Sequence, residues 1–77
     1  MTKVFRELDS VRLAKSLYER VFGEDRDVEV AAGSIGLVVH VFGDAESPSA
    51  YIVEFKLSST RYVVANVVPD DLREFTE

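Results

Sequence analysis

Tyr51-Ile52-Val53-Glu54-Phe55-Lys56 is the stretch that sets the fold class. Tyr51, Val53 and Phe55 alternate with Ile52, Glu54 and Lys56. A period of two puts the three large side chains on one face of an extended chain, which predicts a half-buried β-strand. Downstream, Ser58-Ser59-Thr60 is a short polar connection of hairpin type. The return strand runs from Arg61 to Val68 and carries Tyr62, Val63, Val64, Val67 and Val68. Pro69 has no amide donor and stops the pairing. Asp70-Asp71-Leu72-Arg73 reads as a single turn with Asp70 as its cap. Leu72 and Phe75 are placed to seal one end of the core.

Working upstream, Gly33 to Phe42 holds a dense apolar run of Ile35, Leu37, Val38, Val39, Val41 and Phe42. It predicts a strand buried on much of both faces. Gly36 inside the run suggests a bulge or a close backbone crossing. Gly43-Asp44-Ala45-Glu46-Ser47-Pro48-Ser49 ends it as a loop. Asp9 to Phe22 has two readings. Val11, Ala14, Leu17, Tyr18, Val21 and Phe22 fall at helical spacing, with Asp9 or Ser10 to cap and Gly23 to terminate. Val11 and Leu13 also alternate with Ser10 and Arg12, as on a strand. Periodicity alone favours the helix.

The chain has 77 residues and no cysteine. That length makes one domain over residues 1–77, near the lower limit for an unaided core. Without disulfides, stability must come from packing, or from packing against a second subunit. A homo-oligomer is therefore one expectation. No stretch approaches the ~20 apolar residues of a membrane span. The start of the chain has no apolar run of signal length. Together these predict a cytoplasmic protein with no membrane contact. The net charge is −5. Acids cluster at Glu19, Glu24, Asp25, Asp27 and Glu29, and again at Asp70, Asp71, Glu74 and Glu77. Such a chain repels a phosphate backbone and attracts a basic partner.

Leu8-Asp9-Ser10-Val11-Arg12-Leu13, Gly33-Ser34-Ile35-Gly36-Leu37-Val38-Val39-His40-Val41-Phe42, Ala50-Tyr51-Ile52-Val53-Glu54-Phe55 and Asp71-Leu72-Arg73 together resemble the small bacterial proteins classed as domain of unknown function 4926. The resemblance covers roughly three-quarters of the chain, and its glycine-turn-strand portion is shared with many SH3-like barrels, including KOW modules. It implies a mostly β fold, a small five-stranded SH3-like barrel in which Asp9 to Lys15 is the first strand. The segment between Leu17 and Ala32 departs from the family pattern. A long acidic loop is expected there, with a short helix over Leu17 to Phe22. The family brings no established activity. Some of its members are encoded beside toxin-like proteins, which suggests an antitoxin-like role.

The residues that carry chemistry elsewhere are sparse. His40 is the only histidine and sits in an apolar strand, so it reads as a strand-face or core residue and not as a ligand. Nothing in the spacing offers a nucleophile and a base. Asp44 with Glu46, and Asp25 with Asp27, lack the ligand array of a calcium loop. Gly33-Ser34-Ile35-Gly36 precedes a strand, so it is a tight turn and not a phosphate loop. Tyr18, Phe22, Phe42 and Tyr62 could stack bases, but few cations interleave with them, and they are expected to fill the core. No catalytic, cofactor or metal site follows.

The expected function is a noncatalytic protein-interaction module. It binds a basic protein through Glu19, Glu24, Asp25, Asp27 and Glu29, or through an exposed barrel edge, with Glu54 able to grip a partner or pair with Arg12 or Arg61. The alternative is a KOW-like RNA-binding module, which the barrel resemblance favours and the charge opposes.

Overall fold

In the computed structural model, residues 4–20 and 27–75 are described. They form seven strands: β1 (Ser10–Leu13), β2 (Leu17–Arg20), β3 (Asp27–Val30), β4 (Ile35–Asp44), β5 (Ser47–Lys56), β6 (Tyr62–Val67) and β7 (Leu72–Glu74). A 3₁₀ turn at Pro69–Asp71 precedes β7. Five strands make one curled antiparallel sheet, a half-barrel in the order β6-β5-β4-β1-β7, while β2 and β3 pair in a separate two-stranded sheet. The protein is thus mostly β, and no α-helix occurs among the described residues.

The alternation in β5 has the expected result. Tyr51, Val53 and Phe55 are fully buried. The register sets them beside Val67, Ala65 and Val63 of β6, which are also buried. Val11, Leu13, Val38 and Leu72 complete the concave face, and Phe5 lies against it. The Phe5 amide donates to the Tyr51 hydroxyl at 3.1 Å, so the one polar atom of that ring has a partner. Their rings meet edge to face at 5.9 Å, a favoured aromatic arrangement.

The sheet curls at β4. Its register with β5 shifts between Val38 and His40, which leaves Val39 as the extra residue, and again between Phe42 and Gly43. Such a bulge bends its strand and increases the twist. Gly36 does something else. A Cβ there would lie 2.5 Å from Val53 Cγ1 and 2.8 Å from Phe55 Cε1. Gly36 is therefore the close approach that lets the core side chains of β5 lie against β4, and the bulge lies three residues further on.

Several expectations need correction. Of the two readings of Asp9 to Phe22 the strand holds: β1 lies within the Asp9–Lys15 strand that the resemblance implied, and after a bend β2 stands where the short helix over Leu17 to Phe22 was expected, as far as that stretch is described. Helical spacing here is a coincidence of two short strands read as one. The stretch expected as a long acidic loop is a hairpin where it is described, with Leu17 opposite Val30 and Arg20 opposite Asp27. It is held because Val30 is buried and Leu17 and Val28 pack on the core. Residues 21–26, including Val21, Phe22 and Gly23, lie outside the described residues. The run at Ile35–Phe42 is not buried on both faces, since Ile35, Val39 and Phe42 are exposed. The loop at 43–49 is shorter than expected, because β4 continues to Asp44 and β5 begins at Ser47. At the 3₁₀ turn, Asp71 rather than Asp70 caps, its Oδ2 accepting from the Val68 amide at 3.3 Å. The turn at Gly33 is as expected: φ is +91°, and Leu13 and Ser34 exchange bonds with it through Gly33 N–H to Leu13 O and Leu13 N–H to Ser34 O.

Candidate functional site

A groove of about 360 Å³ is lined by Val4, Glu46, Ser47, Pro48, Tyr51, Val68, Pro69 and Asp70. Its parts are brought together from three distant stretches. The β4–β5 turn supplies Glu46, Ser47 and Pro48. That turn depends on Gly43, whose φ is +85° and where a Cβ would stand 3.0 Å from the Ser49 amide nitrogen. Pro48 sits opposite Gly43 in the ladder, a place near the strand start where a missing donor is tolerated.

The 3₁₀ turn supplies Val68, Pro69 and Asp70. It is tied at both ends. The Asp71 amide donates to Val68 O at 2.9 Å, and the Ala14 amide donates to Asp71 O at 2.7 Å. Lys15 adds an ion pair to Asp71 at 3.1 Å. The third stretch is Val4, fixed next to Phe5 and its bond to Tyr51. The result pairs apolar walls (Val4, Pro48, Val68, Pro69) with two carboxylates on the rim (Glu46, Asp70). Val4 and Val68 are 40% and 50% exposed. Chemically, such a groove suits an apolar side chain with a cation beside it.

The residues singled out from sequence are dispersed. Asp27 and Glu29 lie exposed on β3, on the same face as Arg20 and Tyr18 of β2. Asp27 is in an ion pair with Arg20 at 3.7 Å, so part of the hairpin's charge is already balanced. Glu19 faces the other way, opposite Val28. Glu24 and Asp25 lie outside the described residues. Glu54 is on the convex face of the large sheet, between Leu37 of β4 and Val64 of β6. Arg12, offered as its partner, instead donates to Gly33 O at 2.8 Å and stacks 5.4 Å from the Phe75 ring centre.

Comparison with family models, with curated proteins and with solved structures finds no match to this chain. The site therefore rests on its own geometry.

The aromatic residues need a second correction. Tyr18, Phe42 and Tyr62 do not fill the core; they are 67%, 40% and 47% exposed. Nor do they form one platform. Phe42 is level with Ala50 and Tyr62 with Lys56, about 20 Å apart along β5. Phe22 lies outside the described residues. His40 is on the strand surface, T-stacked on Phe42 at 4.6 Å and 3.9 Å from Glu7. Among the described residues no group of three metal-ligating side chains comes together.

Sequence reasoning missed the groove. In the sequence Glu46 reads as a solvated loop charge and Asp70 as the cap of a single turn. The signal present was an acid within two residues of a proline in each turn, Glu46 before Pro48 and Asp70 after Pro69, with apolar Val68 adjacent to the second. Only the pairing of β5 with its neighbours makes those two turns one surface.

Proposed function

We propose that this protein is a noncatalytic interaction module whose groove between the β4–β5 turn and the 3₁₀ turn binds a basic, extended peptide segment. One observation carries the reading: exposed apolar walls lie beside two acidic side chains in one concavity. The apolar walls take an aliphatic side chain, and Glu46 and Asp70 attract its cationic neighbours. The excess of acids over the whole chain adds steering toward the same partner. The acidic hairpin then contributes long-range attraction and not the contact surface. The strand order, with a 3₁₀ turn before the last strand, supports an SH3-like barrel as the scaffold.

The test is an NMR titration with a peptide of alternating arginine and leucine and with its glutamate-for-arginine counterpart. The reading expects amide shifts at Val4, Ser47, Val68 and Asp70 with the basic peptide alone, weakened by Glu46→Gln and Asp70→Asn together. Shifts confined to the β2–β3 hairpin, or none, would remove the groove from consideration.

The RNA-binding reading has one observation in its favour. On the convex face Tyr62 is paired with Lys56, and Ile35, Arg12 and Arg73 are in line across β4, β1 and β7, so cations and an aromatic occur on one face. Titration with oligouridylate is the discriminating experiment, and shifts at those residues with steep salt dependence would favour it.

A further inference from the structure

Edge strands usually carry a device that stops them pairing with another chain: a charge, a proline, a bulge or a cover. The two edges of the large sheet differ in this respect. β7 is only three residues long and contains Arg73 and Glu74. β6 is Tyr62-Val63-Val64-Ala65-Asn66-Val67, six residues with no charge and no proline. Its register to β5 is unbroken from Tyr51 opposite Val67 to Lys56 opposite Tyr62, so no bulge twists it away. β2 comes close to β6, and its Leu17 packs on the core. No ladder joins the two, and among the described residues β6 pairs with β5 alone.

The side chains add an independent observation. On the concave face Val63, Ala65 and Val67 are buried, as they must be. On the convex face Tyr62 and Val64 are 47% and 52% exposed, beside Lys56 and Glu54 of β5. The unprotected backbone edge and the exposed apolar surface thus belong to one strand.

We propose that β6 pairs antiparallel with β6 of a second copy, joining the two large sheets into one continuous sheet across a two-fold axis at Val64. The strand is self-complementary in that register. Val64 meets Val64 of the other copy, Tyr62 meets Asn66, and Val63 meets Ala65. All partners share a face, as antiparallel pairing requires. No like charges meet. The nearest, Glu54 and its symmetry mate, are three strand spacings apart, about 14 Å, beyond the screening length of about 8 Å at physiological salt.

The absence of cysteine from the chain makes the test direct. Sedimentation equilibrium over a micromolar-to-millimolar series is expected to show a monomer–dimer equilibrium for the unaltered chain. Val64→Lys places two ammonium groups opposite each other and is expected to weaken the dimer by roughly tenfold or more. Val64 is half exposed, so an unchanged melting transition of the dilute variant checks that the fold is kept. Val64→Cys is expected to oxidise to a disulfide-linked dimer, because directly opposed residues in a ladder stand about 4.5–5.5 Å apart, within disulfide reach. Asp44→Cys, at the far end of β4, is the control and is expected to cross-link slowly. An unaltered chain that stays monomeric throughout the series would overturn the proposal. So would a dimer indifferent to Val64→Lys, or Val64→Cys cross-linking no faster than Asp44→Cys.

Discussion

The large sheet and the β2–β3 hairpin are both antiparallel, yet they are held in different ways. In β5, every second side chain from Tyr51 to Phe55 is fully buried, and the strand is paired on both sides. In the hairpin, only Val30 is fully buried, with Leu17 and Val28 resting on the core. Its other face shows Tyr18, Arg20, Asp27 and Glu29 to solvent. The comparison teaches that the ladder by itself holds little. A two-stranded ribbon is marginal in water, and this one persists because Val30, Leu17 and Val28 on one of its faces pack on the core.

The contrast can be broken most severely at its strong end. Phe55→Ala removes a fully buried ring from the strand at the centre of the core, and is expected to destabilise by about 3–5 kcal/mol. Since a whole domain is held by only about 5–15 kcal/mol, thermal denaturation should show loss of most of the stability. A melting temperature close to that of the unaltered chain would show that β5 is not the keystone described. Gly36→Ala tests the same region by crowding. The added methyl would meet Val53 and Phe55 well inside contact distance, with an expected loss of about 1–3 kcal/mol. A neutral result in denaturant unfolding would mean that β4 and β5 can separate without penalty.

Hydrogen exchange sharpens the comparison without any substitution. Amides of β5, paired on two sides, are expected to open only with global unfolding, whereas those of β2 and β3 should exchange through local opening at lower free energy. Equal protection in the two regions would contradict the hierarchy. The smallest effect is expected at the hairpin surface. Asp27→Asn with Glu29→Gln removes two exposed acids, one paired with Arg20, and should change stability by no more than about 0.5 kcal/mol. A large loss in the same unfolding assay would mean that the hairpin's charges hold the fold, and not merely its surroundings.

Legibility in the sequence followed the same divide. The β5 core face and the β5–β6 hairpin could be read from period-two alternation, because each residue's environment there is set by its immediate neighbours. The tight turn at Gly33 was legible for a similar reason: its requirement for positive φ is local. β2 was not, and in the residues alone β1 stood only as one of two readings, since four-residue strands contain too few repeats to separate a period of 2 from one of 3.6. The bulge at Val39 was hidden inside a run where every residue is apolar, and Gly36 drew attention to itself for a close approach. The exposed Tyr18, Phe42 and Tyr62 were misplaced because hydrophobicity says what prefers burial, not how much interior a small half-barrel has to offer.

The sequence by itself determined that the chain is mostly β, that β5 turns Tyr51, Val53 and Phe55 inward, and that acids outnumber bases. These depend on composition and on spacings of two residues. Tertiary structure alone decided that Val4, Glu46, Pro48, Val68 and Asp70 share a groove, and that β6 rather than β7 is the unguarded edge. Both depend on which strands pair and in what register. That choice is made by burying one common face across segments more than forty residues apart, as when the Phe5 amide finds the Tyr51 hydroxyl, and no local pattern encodes it.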